Sequence, residues 1–155
     1  MSKLKEGAKA PDFLLPSSAG REIGLKEFLG KKKVVLYFYP KDDTPGCTVE
    51  ACGFRDKYGE IEKRGAVILG VSPDGEAAHK KFIGKFKLPF TLLCDEDKKL
   101  SKAYGVWVKK SMYGREYMGV ARTTFVIGKD GRIEKIYEKV KPEGHAQEVL
   151  DFLNA

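Results

Sequence analysis

The feature that most constrains the fold is a continuous apolar run, VVLYFY, at Val34–Tyr39. Its residues are mainly β-branched and aromatic, which is typical of a strand covered on both faces. A second run lies at Ala66–Ser72 and a shorter third one at Phe90–Cys94. Helical patterns separate these runs, and strand–helix–strand alternation implies parallel strands joined by right-handed crossovers. We therefore predict an α/β protein built on a buried central sheet.

The remaining segments complete the predicted architecture. Four helical patterns are expected, at Thr48–Arg64, Glu76–Phe86, Lys98–Tyr104 and about Gly144–Leu153. Two further strands, Thr123–Ile127 and Arg132–Tyr137, flank the hairpin signal GKDG and make the sheet mixed. The first 30 residues, with DFLLP and REIGL, predict an added N-terminal β-hairpin. The expected fold is a three-layer α/β/α sandwich formed by a single domain spanning residues 1–155.

Composition and charge narrow the classes of function. Hydrophobic residues make up 42% and charged residues 33% of the 155 residues, as in ordinary globular domains. No apolar run approaches the length of a membrane span, and the start MSKLKEGAKAPDF lacks the apolar core of a signal peptide. We therefore expect a cytoplasmic protein without a membrane partner, whose cysteines are reduced at rest. An organelle protein stripped of its transit peptide would have the same appearance.

The formal net charge of +7 does not indicate a nucleic-acid partner. Basic residues are interleaved with acidic ones, and the densest cluster, Lys31–Lys33, precedes an apolar strand. A nucleic-acid-binding surface usually combines clustered charge with exposed aromatic residues or a known reading motif. The sequence shows neither, so we expect a solvated surface and no nucleic-acid binding. A basic nucleic-acid-binding or chaperone-like protein is the alternative from another class.

Two cysteines stand near the predicted start of the first long helix. Pro40 ends the strand, Thr44 is a plausible N-cap, and Pro45 suits the first helical position. Cys47 then lies in the first turn, where unpaired N–H groups and the positive end of the helix dipole favour a thiolate. Cys52 follows five residues later in the same helix. This placement favours a reactive thiol at Cys47 over a purely structural one.

The helical spacing separates the two thiols. Cys47 begins an apolar stripe that continues through Ala51, Phe54, Tyr58 and Ile61, and it therefore points towards the core. Cys52 lies about 140° round the helix and roughly 7.5 Å further along it. A disulfide requires Cα atoms within about 7 Å, so bridging the two cysteines would require this stretch to unwind. Gly53 would weaken the helix there. The spacing suggests a redox switch, and two buried small hydrophobic residues are the alternative.

The stretch YPKDDTPGCTVEAC resembles the active-site motif of the peroxiredoxins, Pro-x-x-x-Thr/Ser-x-x-Cys, here Pro40, Thr44 and Cys47. A second cysteine five residues later, Cys52, is similar to the subgroup called bacterioferritin comigratory protein or peroxiredoxin Q. The later GVARTTFVIGKDGRI is similar to the family's Arg-x-Thr-Phe strand, with Arg122 at the arginine position. The resemblance runs from GAKAPDF to the last helix and implies a thioredoxin-like fold.

The resemblance implies a thiol-dependent peroxidase that uses no metal or other cofactor. Cys47 would attack hydrogen peroxide or an organic hydroperoxide and become a sulfenic acid. Cys52 would then form an intramolecular disulfide with it, which thioredoxin or a similar dithiol would reduce. Arg122 would offset the burial of the thiolate, Thr44 would supply a hydroxyl, and Pro40 would shield the sulfur from water. Because Cys52 needs no partner subunit, we expect a monomer.

The nearest alternative function is a thioredoxin-like thiol–disulfide oxidoreductase. Its chemistry needs C-x-x-C, whereas this chain has C-x-x-x-x-C, and Arg122–Thr123 precedes the strand where thioredoxins carry a proline.

Several other residues carry weaker predictions. We expect Cys94 to be a buried structural thiol, and His79 and His145 to lie on the surface. With only two histidines and no expected ligand cluster, no metal site is predicted. The segment YGVWVKKSMYGREYMG is interpreted as packing and loop residues. By resemblance it would also rim a peroxide pocket.

Overall fold

The computed structural model describes residues 4–155 of the chain. The strands are β1 Leu14–Leu15, β2 Ile23–Gly24, β3 Lys33–Phe38, β4 Ala66–Ser72, β5 Thr91–Cys94, β6 Trp107–Met112, β7 Arg115–Val120, β8 Thr123–Ile127 and β9 Ile133–Tyr137. The α-helices are α1 Pro45–Lys63, α2 Glu76–Phe86, α3 Lys99–Ala103 and α4 His145–Asn154. Every strand and helix predicted from the apolar and helical patterns is present, with ends that differ by at most a few residues.

A five-stranded sheet in the order β5-β4-β3-β8-β9 forms the centre of the molecule. β3 pairs in parallel with β4, and β4 pairs in parallel with β5. β8 runs antiparallel to β3, and β9 runs antiparallel to β8. The sheet is therefore mixed, as predicted, because the last two strands are joined by a tight hairpin instead of a crossover helix.

Both faces of this sheet are covered, which explains the continuous apolar run in β3. On one face, α1, α2 and α4 pack through residues that include Phe54, Phe82 and Val149. On the other face lie the N-terminal segment and α3, through residues that include Phe13 and Leu100. Val34 to Phe38 are all buried, since successive side chains of β3 enter opposite cores. The predicted α/β/α layering is confirmed.

Two small hairpins lie outside the central sheet. β1 and β2 pair antiparallel and confirm the predicted N-terminal hairpin. β6 and β7 form a second hairpin that pairs from Trp107↔Val120 to Met112↔Arg115. From the sequence, this segment was interpreted as packing and loop residues and no strands were predicted in it, so the hairpin was missed. The strands were missed because their residues are mostly exposed and show no period-two apolar alternation. Within residues 4–155, no helix is long and apolar enough to cross a membrane.

The strand directions bring three loops and one strand start to the same edge of the sheet. β3, β4 and β5 are parallel, so their carboxyl ends meet at that edge. β8 is antiparallel to β3 with Phe38 opposite Thr123, and its first residue therefore lies at the same edge. Residues that follow β3 and residues that precede β8 become neighbours here, although they are far apart in sequence.

Candidate active site

Cys47 lies in the first turn of α1, at the edge where β3 ends and β8 begins. Thr44 occupies the N-cap position and Pro45 the first helical position, as predicted. The Thr44 side chain makes no cap hydrogen bond to the helix. The N–H groups of Gly46 and Cys47 have no intrahelical acceptor, because the first N–H groups of any α-helix lack one. Cys47 itself is 1% exposed, and its sulfur is therefore enclosed beside the positive end of the helix.

Arg122 reaches Cys47 from the residue before β8. Its Nη2 donates to Cys47 Sγ over 3.5 Å, and its Nη1 donates to Glu50 Oε1 over 2.7 Å. Gly46 leaves room for this approach, since a Cβ at Gly46 would lie in a tight contact, 3.2 Å from Arg122 Nη2. The guanidinium is a permanent cation with planar donors, so it places positive charge beside the sulfur whatever the pH. The structure thus brings together two residues that the sequence places 75 positions apart.

Glu50 is a site residue that the sequence interpretation did not include. It is 1% exposed, and its Oε2 atom has no hydrogen-bond partner. Burial raises the pKa of Glu50 to about 7, although the charge and hydrogen bond of Arg122 lower it. The signal was available, because Glu50 follows Cys47 by three residues and therefore shares its helix face. What could not be read from that spacing is that Arg122 contacts both side chains.

Tyr37 adds a second buried polar atom that lacks a partner. Its hydroxyl lies within the core packed under α1, where its ring contacts Phe54 at a centroid distance of 4.7 Å. Burial, then the charges of Glu50 and Cys47, raise the pKa of Tyr37 well above its ordinary value. The hydroxyl is therefore neutral and is a hydrogen-bond donor close to the charged groups of the site.

The loop between β3 and α1 carries Pro40 and Thr44. Pro40 is half-buried and directly follows Tyr39, whose backbone N–H donates to Val71 O over 3.0 Å. The Thr44 hydroxyl donates to the carbonyl of Lys41 over 2.9 Å and closes the loop on itself. Thr44 therefore occupies the N-cap position without using its hydroxyl as a side-chain cap. Asp43 adopts a φ of 57°, which sets the sharp direction change before the helix.

Cys52 lies on the same helix as Cys47 but faces a different part of the molecule. It is half-buried and lines a cleft between α1 and the segment that leads into α4, beside Pro142 and Ala146. Both cysteines are free thiols in this conformation. α1 runs without interruption from Pro45 to Lys63, so the two sulfurs are held apart as helical geometry requires.

Cys94 and the two histidines are all buried. Cys94 is 3% exposed at the end of β5, as expected, and burial raises its pKa to about 11 with help from Glu96. The prediction of surface positions for His79 and His145 is wrong, because both are fully buried. His145 contacts the Thr124 hydroxyl through Nε2 at 2.8 Å. His79 contacts Asp42 through Nδ1 at 2.6 Å. Both are buried because a neighbouring strand or loop supplies polar partners, which sequence neighbours could not reveal.

The β6–β7 hairpin brings a second cation towards the site. Lys110 is half-buried, and burial followed by the charge of Arg122 lowers its pKa. A separate cavity of about 470 Å³ lies where this hairpin meets the sheet, beside Tyr104, Thr123 and Phe125. Neither Cys47 nor Arg122 lines that cavity. Tyr104 and Phe125 belong to the core on the other face of the sheet from Cys47, so the cavity is distinct from the thiol site.

A buried thiol at a helix start, held against an arginine at the edge of a mixed sheet, is the arrangement expected of a thiol-based redox enzyme. The sequence matches the profile of the AhpC/TSA family over residues 7–136, and the chain therefore belongs to this family. It is 50% identical over 147 residues to Peroxiredoxin Bcp of Bacillus subtilis strain 168, covering 95% of this chain and 93% of that protein. It is 44% identical over 153 residues to Peroxiredoxin Bcp of Escherichia coli K12, covering 99% and 97%.

Solved structures agree with these relatives. Peroxiredoxin Q of Xanthomonas campestris superposes with a TM-score of 0.87 at 39% identity, covering 92% of this chain and 89% of that one. PrxQ of Xylella fastidiosa superposes with a TM-score of 0.93 at 35% identity, covering 99% and 98%. The protein is a thiol-dependent peroxidase with a thioredoxin-like fold, as its resemblance to the peroxiredoxins implied. The oxidoreductase alternative is not better supported by any of these matches.

Proposed function

We propose that this peroxidase reduces hydrogen peroxide and organic hydroperoxides at Cys47, through a sulfenic acid and an intramolecular Cys47–Cys52 disulfide. The observation that carries the proposal is the hydrogen bond from Arg122 Nη2 to Cys47 Sγ, at a helix start with free N–H groups. A related X. campestris bacterioferritin comigratory protein, 39% identical, is described by its alkyl peroxide reduction activity. That description supports the inclusion of organic hydroperoxides among the substrates.

In the first step the Cys47 thiolate attacks the terminal oxygen of the peroxide. An S–O bond forms and the O–O bond breaks, so the sulfur is oxidised and the peroxide is reduced. The leaving oxygen takes up one proton and departs as water or an alcohol. The negative charge that develops on this oxygen is stabilised by Arg122 and by the N–H groups of Gly46 and Cys47. Thr44 and Pro40, on the loop before the helix, are proposed to orient the peroxide and exclude water.

In the second step the Cys52 sulfur attacks the sulfenic acid of Cys47. An S–S bond forms, the S–O bond breaks, and the oxygen leaves as water. This step needs the first turns of α1 to unwind, because the intact helix holds the two Cα atoms beyond disulfide range. Cys52 is only half-buried, so it can leave its position without exposing the main core.

A dithiol protein of the thioredoxin type then reduces the disulfide by thiol–disulfide exchange, in which its own two thiols are oxidised. We place this cycle in the cytoplasm, where such dithiols are kept reduced. Both cysteines belong to one helix, so the proposed cycle is complete within a monomer. Residues 1–155 act as one domain in this proposal.

The test is intact mass and peptide mapping of the reduced protein after one equivalent of hydrogen peroxide. We expect the mass to fall by about two hydrogens, with Cys47 and Cys52 crosslinked in one peptide. A Cys52→Ser variant should complete one peroxide reduction and stop at a trappable sulfenic acid. It should lose turnover with thioredoxin.

Two further variants separate the roles of the three thiols. Cys47→Ser should leave peroxide unconsumed, whereas Cys94→Ser should behave as the unmodified protein because Cys94 lies at a different strand end. Oxidation spread evenly over the three cysteines, or peroxide consumption by Cys47→Ser, would contradict the proposal. Undiminished turnover by Cys52→Ser would show that another thiol resolves the sulfenic acid.

A further inference from the structure

A buried polar cluster lies behind the loop Pro40–Thr44, at the carboxyl ends of β3, β4 and β5. His79 of α2 is fully buried, with Nδ1 at 2.6 Å from Asp42 Oδ2 and Nε2 at 2.8 Å from the carbonyl oxygen of Leu93. The other carboxylate oxygen of Asp42 accepts from the Tyr39 hydroxyl over 2.6 Å. Neither of the proposed catalytic thiols belongs to this cluster. It joins the loop to a helix that makes no direct contribution to the site.

The partners of His79 determine its protonation state. Both ring nitrogens face oxygen atoms that can only accept hydrogen bonds, a carboxylate oxygen and a backbone carbonyl oxygen. A neutral imidazole would point a lone pair at one of them, at a distance where two acceptors repel. His79 therefore donates two hydrogen bonds as an imidazolium, and Asp42 is its carboxylate counter-ion. Burial lowers the pKa of His79, but the hydrogen bond and charge of Asp42, with Leu93 O and Asp74, raise it overall.

Asp42 connects this ion pair to the catalytic loop. Its backbone N–H donates to Asp74 Oδ2 over 2.8 Å. Both of its carboxylate oxygens accept hydrogen bonds, one from Tyr39 and the other from His79. Asp42 lies two residues after Pro40 and two before Thr44. The middle of the loop is thus fixed to β3, to the loop after β4 and to α2. Loss of the His79 bond would leave a buried carboxylate oxygen without a partner, which is costly.

The other ionisable groups near His79 have hydrogen-bond partners of their own or raised pKa values. Asp74 is engaged by Asp42 N–H and by the Ser72 hydroxyl, which donates over 2.7 Å. Burial, with Tyr37 and Asp42, raises the pKa of Tyr39 well above its ordinary value, and the pKa of Cys94 is raised to about 11.

The charged neighbours on α2 itself are exposed. Glu76 pairs with Lys80 over 2.6 Å, and Lys85 pairs with Asp43 over 2.8 Å. Glu96, beyond β5, acts mainly on Cys94. These pairs are in solvent, and solvent screening makes them weak. The buried His79–Asp42 pair is therefore the strong attachment between α2 and the loop.

We propose that the buried His79–Asp42 pair positions the loop Pro40–Thr44 for the reaction of Cys47, and that loss of the His79 proton slows the peroxidase reaction at alkaline pH. The inference rests on the proposed function in taking Pro40 and Thr44 as groups that act on the peroxide. His79 is a positioning residue, since it touches neither Cys47 nor the substrate. Its effect passes through Asp42 to the loop.

The direction of the pH effect follows from linkage. The pKa of His79 is raised in the folded protein, so the pair stabilises the fold fully below the ordinary histidine pKa. That stabilisation is lost as pH rises through the raised value. A thiol reaction alone would become faster or level off with rising pH, because the thiolate is the nucleophile. Glu50, with a pKa of about 7, also titrates beside Arg122, so an alkaline fall in rate is assigned to the loop only where it shares the His79 midpoint and is absent in His79→Asn.

The test combines nuclear magnetic resonance with kinetics on the reduced full-length protein. Long-range ¹H–¹⁵N spectra of the histidine rings should show both nitrogens of His79 protonated near neutral pH. The backbone amides of the loop should shift with the same titration midpoint. The second-order rate of Cys47 oxidation by hydrogen peroxide, measured from about pH 6 to about pH 10, should fall through that midpoint.

His79→Asn keeps a donor that can reach Asp42 but cannot titrate. We expect it to lower the rate about tenfold or more, because small misplacement of catalytic groups is costly, and to remove the alkaline fall. Lys85→Gln is the matched control, since it removes the exposed ion pair between α2 and the same loop but leaves the buried His79–Asp42 pair intact. Its pH profile should match that of the unmodified protein. If His79→Asn does not fold, Asp42→Asn should move the His79 titration and the rate fall together to lower pH.

A neutral His79 ring near neutral pH, or parallel pH profiles for the unmodified protein and His79→Asn, would overturn the inference. A uniform loss of rate without a changed profile would mean a purely structural role and would also overturn it. Failure of the proposed function has a different appearance, namely no peroxide consumption at any pH. In that case the ring spectra and the loop amide titration still decide whether His79 holds the loop.

Discussion

Arg122 donates hydrogen bonds to two groups, the Cys47 sulfur and the Glu50 carboxylate. The shorter of its two hydrogen bonds goes to Glu50, at 2.7 Å compared with 3.5 Å to the sulfur. Burial raises the pKa of Glu50 to about 7, so this carboxyl group changes charge near neutral pH. When Glu50 is protonated, it no longer offsets the positive charge of Arg122, and the electrostatic attraction between Arg122 and the Cys47 sulfur is stronger. When Glu50 is ionised, it holds the guanidinium more firmly in place.

The raised pKa of Glu50 makes a prediction about stability. The unfolded chain ionises this residue near its ordinary 4.5 and the folded chain only near 7, so the native state binds more protons in between. Protonated Glu50 therefore contributes to the free energy of unfolding at low pH, and this contribution is lost as the pH rises from 4.5 to about 7. We expect Glu50→Gln to gain stability relative to the unmodified protein by about 1–3 kcal/mol between about pH 5 and about pH 8. Urea unfolding at several pH values measures this difference.

The measured quantity is the difference in the free energy of unfolding between the two proteins. The contributions of other titrating groups therefore cancel unless those groups contact Glu50. Glu60→Gln, on an exposed position of the same helix, is a suitable control and should show no pH-dependent difference. A stability difference between Glu50→Gln and the unmodified protein that stays constant with pH would show that Glu50 keeps an ordinary pKa in the folded state.

The local geometry of the candidate site could be predicted from the sequence where the signal lies within a short stretch. Pro40, Thr44 and Cys47 lie within eight residues, and the start of a helix can be derived from that stretch. Arg122 was assigned by resemblance, because nothing in its own neighbourhood distinguishes it from a surface arginine. Glu50 and His79 depend on partners 72 and 37 positions away, and only the assembled sheet brings them together.

At the scale of elements, the continuity of α1 decides how the two thiols can meet. Gly53 lies beside Cys52, inside the stretch that must unwind, and Gly59 lies further along the same helix. A Cβ at Gly53 would meet Ala146 Cβ at 3.6 Å, an ordinary contact, and a Cβ at Gly59 would meet nothing within 4 Å. Both positions therefore accept alanine, which favours the helix over glycine by about 0.5–1 kcal/mol.

Gly53→Ala should slow the resolving step without changing the first step. The added helix stability must be overcome when α1 unwinds, so we expect Cys47–Cys52 disulfide formation to slow about two- to fivefold. Quenched-flow mass spectrometry of the sulfenic acid and the disulfide separates the two steps. Amide exchange across 47–54 should also be faster in the disulfide form than in the reduced protein.

Gly59→Ala is the matched control for this experiment. It should stabilise the reduced protein by a similar amount but leave the resolving step unchanged, because Gly59 lies beyond the unwinding stretch. Equal slowing by both variants would mean that the whole helix opens. Unchanged exchange protection after oxidation would contradict the unwinding of α1 altogether.

The elements of the central sheet could be predicted because burial on two faces leaves a strong apolar pattern. β4, β8 and α2 were predicted with the bounds that the structure shows. The β6–β7 hairpin could not be, since its turn lacks an Asn-Gly or Asp-Gly signal. Its turn residues Tyr113 and Gly114 both have positive φ, 52° and 76°, which glycine tolerates and tyrosine rarely adopts.

At the scale of the whole molecule, the β6–β7 hairpin is a separate two-stranded sheet with an exposed turn. Its two strands pair only with each other, and an isolated two-stranded hairpin is marginally stable in water. Among the described residues, Tyr113 and Tyr117 are the exposed aromatic side chains, and Tyr113 is 98% exposed. The hairpin should open locally without unfolding the central sheet.

We therefore expect chymotrypsin to cut first after Tyr113 and to leave the remaining chain folded. Limited digestion followed by mass mapping and size-exclusion chromatography would show two fragments that stay associated. Tyr113→Asn should create a favourable Asn-Gly turn, move the first cut to Tyr117 and slow it. A first cut after an aromatic residue of the central sheet would contradict this order of local stability.

The separation of 75 residues between Cys47 and Arg122 has a consequence for the protein's synthesis. The ribosome synthesises the segment that contains Cys47 well before it synthesises β8. A domain can complete its folding only when all of its strands have been made. A nascent Cys47 thiol therefore has no guanidinium beside it until the 75 residues that end at Arg122 have also been made. On the proposed chemistry, Cys47 of the growing polypeptide should therefore react with peroxide more slowly than Cys47 of the folded protein.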